Sequence, residues 1–313
     1  NFTILCINFF PTLVNCSDGD RHFSFLTCVN NCKIGNCSKN GDEFLGQPGY
    51  LKYLQWDCDS ECKYICMWRT VDKIIANKLS IPQFYGKWPF KRFLGIQEPA
   101  SVLFSMFNLA FHVLGLRKIR AQVPKSAPLF WFWHWFTAVC VNGWIWSIVF
   151  HTRDTYVTEL MDYFSAFSMI LFTFFAAFVR IYERLLCFPV LMFGVLLLSF
   201  CIYHVHYLAF IHFDYGYNMT ANIAVGVLNA SCWLIWSGIN RKSHPHAWKC
   251  SIFVILAASS ILLEVADFPP WFWIFDAHSL WHLFTAPITY IWYSFVVDDL
   301  KFLHYQHLKT KQP

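Results

Sequence analysis

The stretch HSLWHLFTAPITYIWYSFVV, residues 278–297, decides how this chain is read. It matches the roughly 20 apolar residues that a bilayer-crossing helix needs. Yet it opens with two histidines four apart, His278 and His282. A spacing of four puts both imidazoles on one helix face, so both can hold a single ion. Ionisable groups in such a segment are costly and mark function by default.

A second apolar stretch, 129–150, carries Ser147 near its end and His151 just beyond it, again four apart. Asp162 follows eleven residues after His151, at the start of a third stretch, 160–181. If consecutive stretches cross a membrane in alternating directions, the end of the second, the start of the third and the start of the last face the same side. Three histidines, a carboxylate and a hydroxyl then meet at about one depth. Three neutral imidazoles are the usual ligands of a catalytic zinc, which keeps a position open for water. In that reading His151, His278 and His282 hold Zn2+. Asp162 accepts and returns a proton, and Ser147 hydrogen-bonds the water or an oxyanion. Ser147 is not expected to act as a nucleophile, because the nearby histidines are engaged with the ion.

Composition supports a membrane setting. Of 313 residues, 57% are hydrophobic, 20% aromatic and only 14% charged, against about 25% charged in soluble domains. Mean hydropathy is +0.39. The formal charge of +5 is modest and calls for no nucleic-acid partner. Seven apolar stretches follow Pro99, at about 99–116, 129–150, 160–181, 186–208, 219–239, 250–266 and 278–297. The fold expected is an all-α polytopic membrane protein, a seven-transmembrane-helix bundle.

Basic residues set its orientation. Arg117, Lys118, Arg120 and Lys125, then Arg180 and Arg184, then Arg241, Lys242 and Lys249, lie in alternate connections, and Lys301, Lys309 and Lys311 lie in the tail. Positive charge favours the cytoplasmic side, which puts the amino-terminal part in the lumen. Eight of the thirteen cysteines precede residue 67, among them Cys28, Cys32, Cys37, Cys58, Cys62 and Cys66. A small Cys-rich luminal domain over 16–97 is expected to rest on disulfides rather than on metal. Residues 1–15 resemble the apolar part of a signal peptide. The bundle is expected over 98–300 and a cytoplasmic tail over 301–313. Asn15 and Asn36 open NCS glycosylation sequons. No GxxxxGK loop and no GxSxG elbow is present.

The remaining polar groups have plainer readings. His112, His134, His204, His206 and His212 are expected to be packed or hydrogen-bonded, and His244 and His246, flanking Pro245, solvated. Asp276 and Ser279 either orient the histidines or cap the last helix.

The order SxxxH, Asp, HxxxH resembles the CREST superfamily of seven-span proteins, which includes alkaline ceramidases and progestin-and-adipoQ receptors. Within it the chain is most similar to the post-GPI-attachment-to-proteins factor 3 family. The likeness rests on KWPFKRFLGIQEPASVLFSMFNL at 87–109, WSIVFHTRDTYVTELMDYFSA at 146–166 and DAHSLWHLFTAP at 276–287. It implies a Golgi membrane enzyme acting on GPI-anchored proteins and their lipid, removing the sn-2 acyl chain as a phospholipase A2. It also implies zinc at His151, His278 and His282, with Asp162 and Ser147 as polar partners of the water. The role of Glu98 stays open, and no calcium is implied. A ceramidase-like amide hydrolase and a non-enzymatic receptor or escort with structural zinc are the alternatives.

Overall fold

The computed structural model describes residues 17–310. They form two compact units. One takes in the described residues up to Lys91 together with Pro269–Trp273. The other takes in Arg92–Phe268 and the described residues from Ile274 onward.

The first unit holds four helices, α1 (Asp18–Arg21), α2 (Phe23–Asn36), α3 (Gly49–Tyr53) and α4 (Cys58–Ala76). The cysteines explain the pairing of α2 with α4. Cys28 and Cys32 lie one turn apart on α2, and Cys62 and Cys66 one turn apart on α4. Two antiparallel helices therefore bring them together as two rungs, Cys28–Cys66 and Cys32–Cys62. Cys37–Cys58 closes the hairpin beyond them. Phe25, Val71 and Phe84 pack around this ladder. Closing loops of such lengths removes unfolded-state entropy worth about 4 kcal/mol for the first bridge, which a unit this small needs. All six cysteines are in disulfides, so their spacing does not describe a metal site. Cys6, Cys16, Asn15 and the signal-peptide-like segment lie outside the described residues.

The second unit is a bundle of seven helices, α5 (Pro99–Gln122), α6 (Phe130–Thr152), α7 (Tyr156–Tyr182), α8 (Phe188–His206), α9 (Tyr215–Asn240), α10 (Ala247–Val265) and α11 (Ala277–Lys309). A π-helical turn, Tyr207–Ile211, extends α8. Pairwise packing runs from α5 through α6, α7, α9, α10 and α11 and back to α5, with α8 against α7. The centre is aromatic: Trp133, Trp233, Trp292 and Phe295 are each no more than 2% exposed. Outward faces carry Leu196, Leu198, Ile235 and Leu262, apolar and exposed as a lipid-facing surface requires. Four helices, α5, α7, α8 with its π turn, and α9, are long and apolar enough to cross a membrane, and Ala247–Leu263 is a shorter apolar helix. The chain is thus an all-α polytopic membrane protein with a Cys-rich amino-terminal region.

The seven apolar stretches each became a helix, but the last runs well past residue 297. Hydropathy falls at Asp298 and Asp299, yet Asp299 is paired inside the bundle and Asp298 pairs with Lys249 at its margin, and the helix continues to Lys309. Arg180 is only 1% exposed. Its guanidinium bonds both oxygens of Asp299, at 2.5 and 2.8 Å. It is not the free loop cation that the orientation argument counted.

Tight packing of α5 on α11 depends on Gly115. A Cβ there would stand 2.2 Å from Cγ of Tyr293, whose hydroxyl is fixed by His112 at 3.0 Å and Thr137 at 2.8 Å. The ring cannot move without breaking both bonds. We expect Gly115→Ala to destabilise the bundle by about 3 kcal/mol, read as a lowered Tm of the detergent-purified protein.

Candidate metal centre

The site is assembled from the end of α6, the start of α11 and the residues just before α5. Asp276 caps α11 in a reciprocal box: its Oδ1 accepts from Ser279 N at 2.9 Å, and Ser279 Oγ accepts from Asp276 N at 3.0 Å. Both residues therefore cap the helix. The cap starts the helix just ahead of His278, and the helical repeat then brings His282 onto the same face. The α5 start is clasped to the α6 end by main-chain bonds, Gln97 N to Thr152 O and Glu98 N to His151 O, both 3.0 Å. Pro99 at the first helical position of α5 turns the chain into the bundle.

Three imidazoles meet there. The Nε2 atoms of His278 and His282 are 3.0 Å apart, those of His282 and His151 3.3 Å, and those of His278 and His151 3.4 Å. His151 and His282 are 2% and 3% exposed, and His278 is half-buried. Two ligands on a tetrahedral zinc with bonds near 2.05 Å stand about 3.3 Å apart, so the triangle has the edge lengths that such an ion imposes. The protonation pattern agrees. His151 Nδ1 lies 2.6 Å from Glu98 Oε2, so it donates there and its Nε2 lone pair points into the triangle. Buried lone pairs at this separation repel unless a cation lies among them.

The other expected residues fall around the cluster. Ser147 is buried one turn from His151, and its hydroxyl lies 3.0 Å from Ser105 Oγ. Asp162 is half-buried near the start of α7, and its carbonyl accepts from Ser165 Oγ at 3.0 Å. The α6–α7 connection is only Arg153, Asp154 and Thr155, so Asp162 returns to the end of the bundle that holds His151. Asn36 is exposed at the last residue of α2.

The reading of the residues had left one contributor open and missed others. Glu98, 4% exposed, is the hydrogen-bond partner that orients His151. We expect Glu98→Ala to weaken metal binding by the three histidines about 10- to 100-fold while the main-chain clasp persists, measured with added Zn2+ by competition with a chromogenic chelator. On α5, Ser101, Ser105, Asn108 and His112 form a buried polar stripe at spacings of four, three and four. That spacing was available as a signal, but only once α5 was known to face α6 and α11.

Several histidine expectations need correction. His244 and His246 are 9% and 7% exposed, not solvated. His246 Nε2 bonds Asp299 Oδ1 at 2.8 Å, in the same buried group as Arg180. His206 and His212 are exposed rather than packed. His112, His134 and His204 are hydrogen-bonded, to Tyr293, to Arg120 and Phe130, and to Asn218.

Fold and site together define a polytopic helical membrane protein with a three-histidine candidate metal centre at one end of its bundle. Comparison places it further. The chain belongs to the Per1-like family, whose model matches residues 48–300. It is 44% identical over 301 residues to "GPI-specific phospholipase A2-like PGAP3" of Danio rerio, covering 95% of this chain and 93% of that one. The Homo sapiens protein of the same name is 43% identical over 293 residues, 93% and 92% of the two chains. "Post-GPI attachment to proteins factor 3" of Drosophila melanogaster is 41% identical over 303 residues, 94% and 92%. No solved structure matches the chain.

Proposed function

We propose that the chain is a zinc-dependent hydrolase that remodels the lipid of GPI-anchored proteins, cleaving the sn-2 acyl ester of the phosphatidylinositol in the manner of a phospholipase A2. The observation that carries this is the Nε2 triangle of His151, His278 and His282, with edges of 3.0–3.4 Å. The names of the relatives, which specify GPI and phospholipase A2, point the chemistry toward a lipid ester.

Zinc bound by the three imidazoles supplies a water acidic enough to be hydroxide near neutral pH and a Lewis acid for the ester carbonyl. Glu98 holds His151 in the tautomer that presents Nε2. Asp162 takes the proton released as water adds to the carbonyl carbon, and delivers it to the alkoxide as the ester C–O bond breaks. The products are a free fatty acid and a lyso-lipid anchor. Ser147, held by Ser105, offers its hydroxyl to the water or to the carbonyl oxygen. Lipid reaches the centre sideways between helices, since the substrate's acyl chains stay in the bilayer. Three disulfides agree with an oxidising lumen, and we place the protein in the Golgi membrane with its amino terminus luminal.

The test is fatty-acid release from a GPI-anchored protein by the detergent-purified chain, with zinc measured on the same sample. Asp162→Asn is expected to lower release about 100- to 10,000-fold at unchanged zinc content. Release of a sphingoid base from ceramide, with none of fatty acid from the anchor, would replace the ester reading with an amidase. Full zinc content with no hydrolysis of either lipid would point to a structural ion.

A further inference from the structure

We infer that Asn108 is a positioning residue for the metal centre, accepting through one ordered water the Nδ1–H of His282. The inference rests on the metal reading above and names a residue that this reading does not use. His282 turns its Nε2 toward the other two imidazoles. A neutral imidazole whose Nε2 lone pair serves an ion carries its proton on Nδ1, and ligating histidines almost always donate that proton to an acceptor. His151 has Glu98 for this purpose. His282 Nδ1 is buried with no protein partner.

A residue that contacts the His282 main chain carries an acceptor in the same condition. Asn108, on α5, is 0% exposed. Its Nδ2 donates to the carbonyl of His282 at 2.7 Å and to that of Phe104 at 3.0 Å, which uses both of its donors. Its Oδ1 is buried with no protein partner. One residue thus touches His282 and keeps only acceptor capacity, while the histidine keeps only donor capacity. Leaving both unmet would cost about 1–3 kcal/mol apiece. A water between polar groups of this kind is a standard part of a protein interior. The carbonyl of His282 accepts from Thr285 Oγ1 as well, at 3.1 Å. Asn108 therefore fixes the helix at the ligand and the ligand's ring together.

Two substitutions separate the acceptor from the donors. Asn108→Leu removes both and is expected to weaken zinc binding about 10- to 100-fold, by chelator competition on detergent-purified protein. Asn108→Asp keeps an acceptor and loses both donors, and is expected to bind zinc at least as tightly as the native chain. A loss in the Asp variant equal to that in the Leu variant would assign the effect to the donors and overturn the inference, as would unchanged affinity in the Leu variant. If one variant fails to fold, the next readout decides. An experimental map that resolves ordered water gives a third readout: water bonded to both Oδ1 and Nδ1 supports the inference, and apolar filling of that space overturns it. Absence of zinc from the native chain would sink the metal reading itself, a result distinct from any of these.

Discussion

His278→Ala should leave a folded protein that holds no zinc and releases no fatty acid. Zinc is expected to fall from about one ion per chain to near zero, because two imidazoles and water cannot match three. Fatty-acid release should fall to the uncatalysed level within detection. The fold should persist, because His278 is half-buried at the first turn of α11, and its loss removes little packing from the bundle. The Asp276–Ser279 cap stays in place. Elemental analysis and a lipid-release assay on one preparation check both parts. Retained zinc with retained activity would mean that the imidazole triangle is not the reactive centre. His151→Ala and His282→Ala should behave the same way, with a larger cost in stability because both are almost fully buried.

The second large effect lies at the other end of α11. Asp299→Ala should destabilise the bundle by about 3–5 kcal/mol. Asp299 is 0% exposed and neutralises Arg180, itself 1% exposed. The carboxylate receives Arg180 Nε at 2.5 Å and Nη2 at 2.8 Å, and His246 Nε2 lies 2.8 Å from it. Removing it strands a buried guanidinium whose remaining carboxylate partner, Glu183, bonds it at 2.9 Å from a more exposed position. Thermal unfolding in detergent measures the loss. The double variant Arg180→Met with Asp299→Leu should recover much of it, since a buried pair exchanged for apolar residues of similar size is often close to neutral. A double variant no more stable than Asp299→Ala would show that the pair is needed for more than charge balance.

Much of the site was readable because its signals are local. The SxxxH and HxxxH spacings survive any error of a few residues in helix ends, and alternation of apolar stretches fixes which ends meet. Cys28, Cys32, Cys62 and Cys66 were readable as a disulfide framework for the same reason. Their pairing was not, because it depends on how α2 lies against α4. Glu98 belongs to the opposite case. It lies 53 positions before His151, and only the clasp between the α5 start and the α6 end brings the two together. Arg180 and His246 were misread because each sits near a stretch boundary, where a lone charge looks solvated, and nothing in the sequence singled out Asp299. The burial of each depends on the other two arriving from different helices. The Gly115–Tyr293 contact is similarly silent in sequence, since nothing about a glycine announces the ring that fills its place.

His278 and Asp298 are separated by 20 residues of continuous helix, a rise of about 30 Å, which is the thickness of the hydrocarbon slab. Asp298 and its partner Lys249 form a charged pair that belongs among headgroups. Seated there, the helix acts as a ruler, and its far mark falls at the opposite boundary of the acyl region. That boundary is where glycerol esters sit. Lengthening α11 between Pro287 and Asp298 by a full turn would shift that mark by about 5 Å and, under the proposed hydrolase reading, put the imidazoles out of register with the lipid ester.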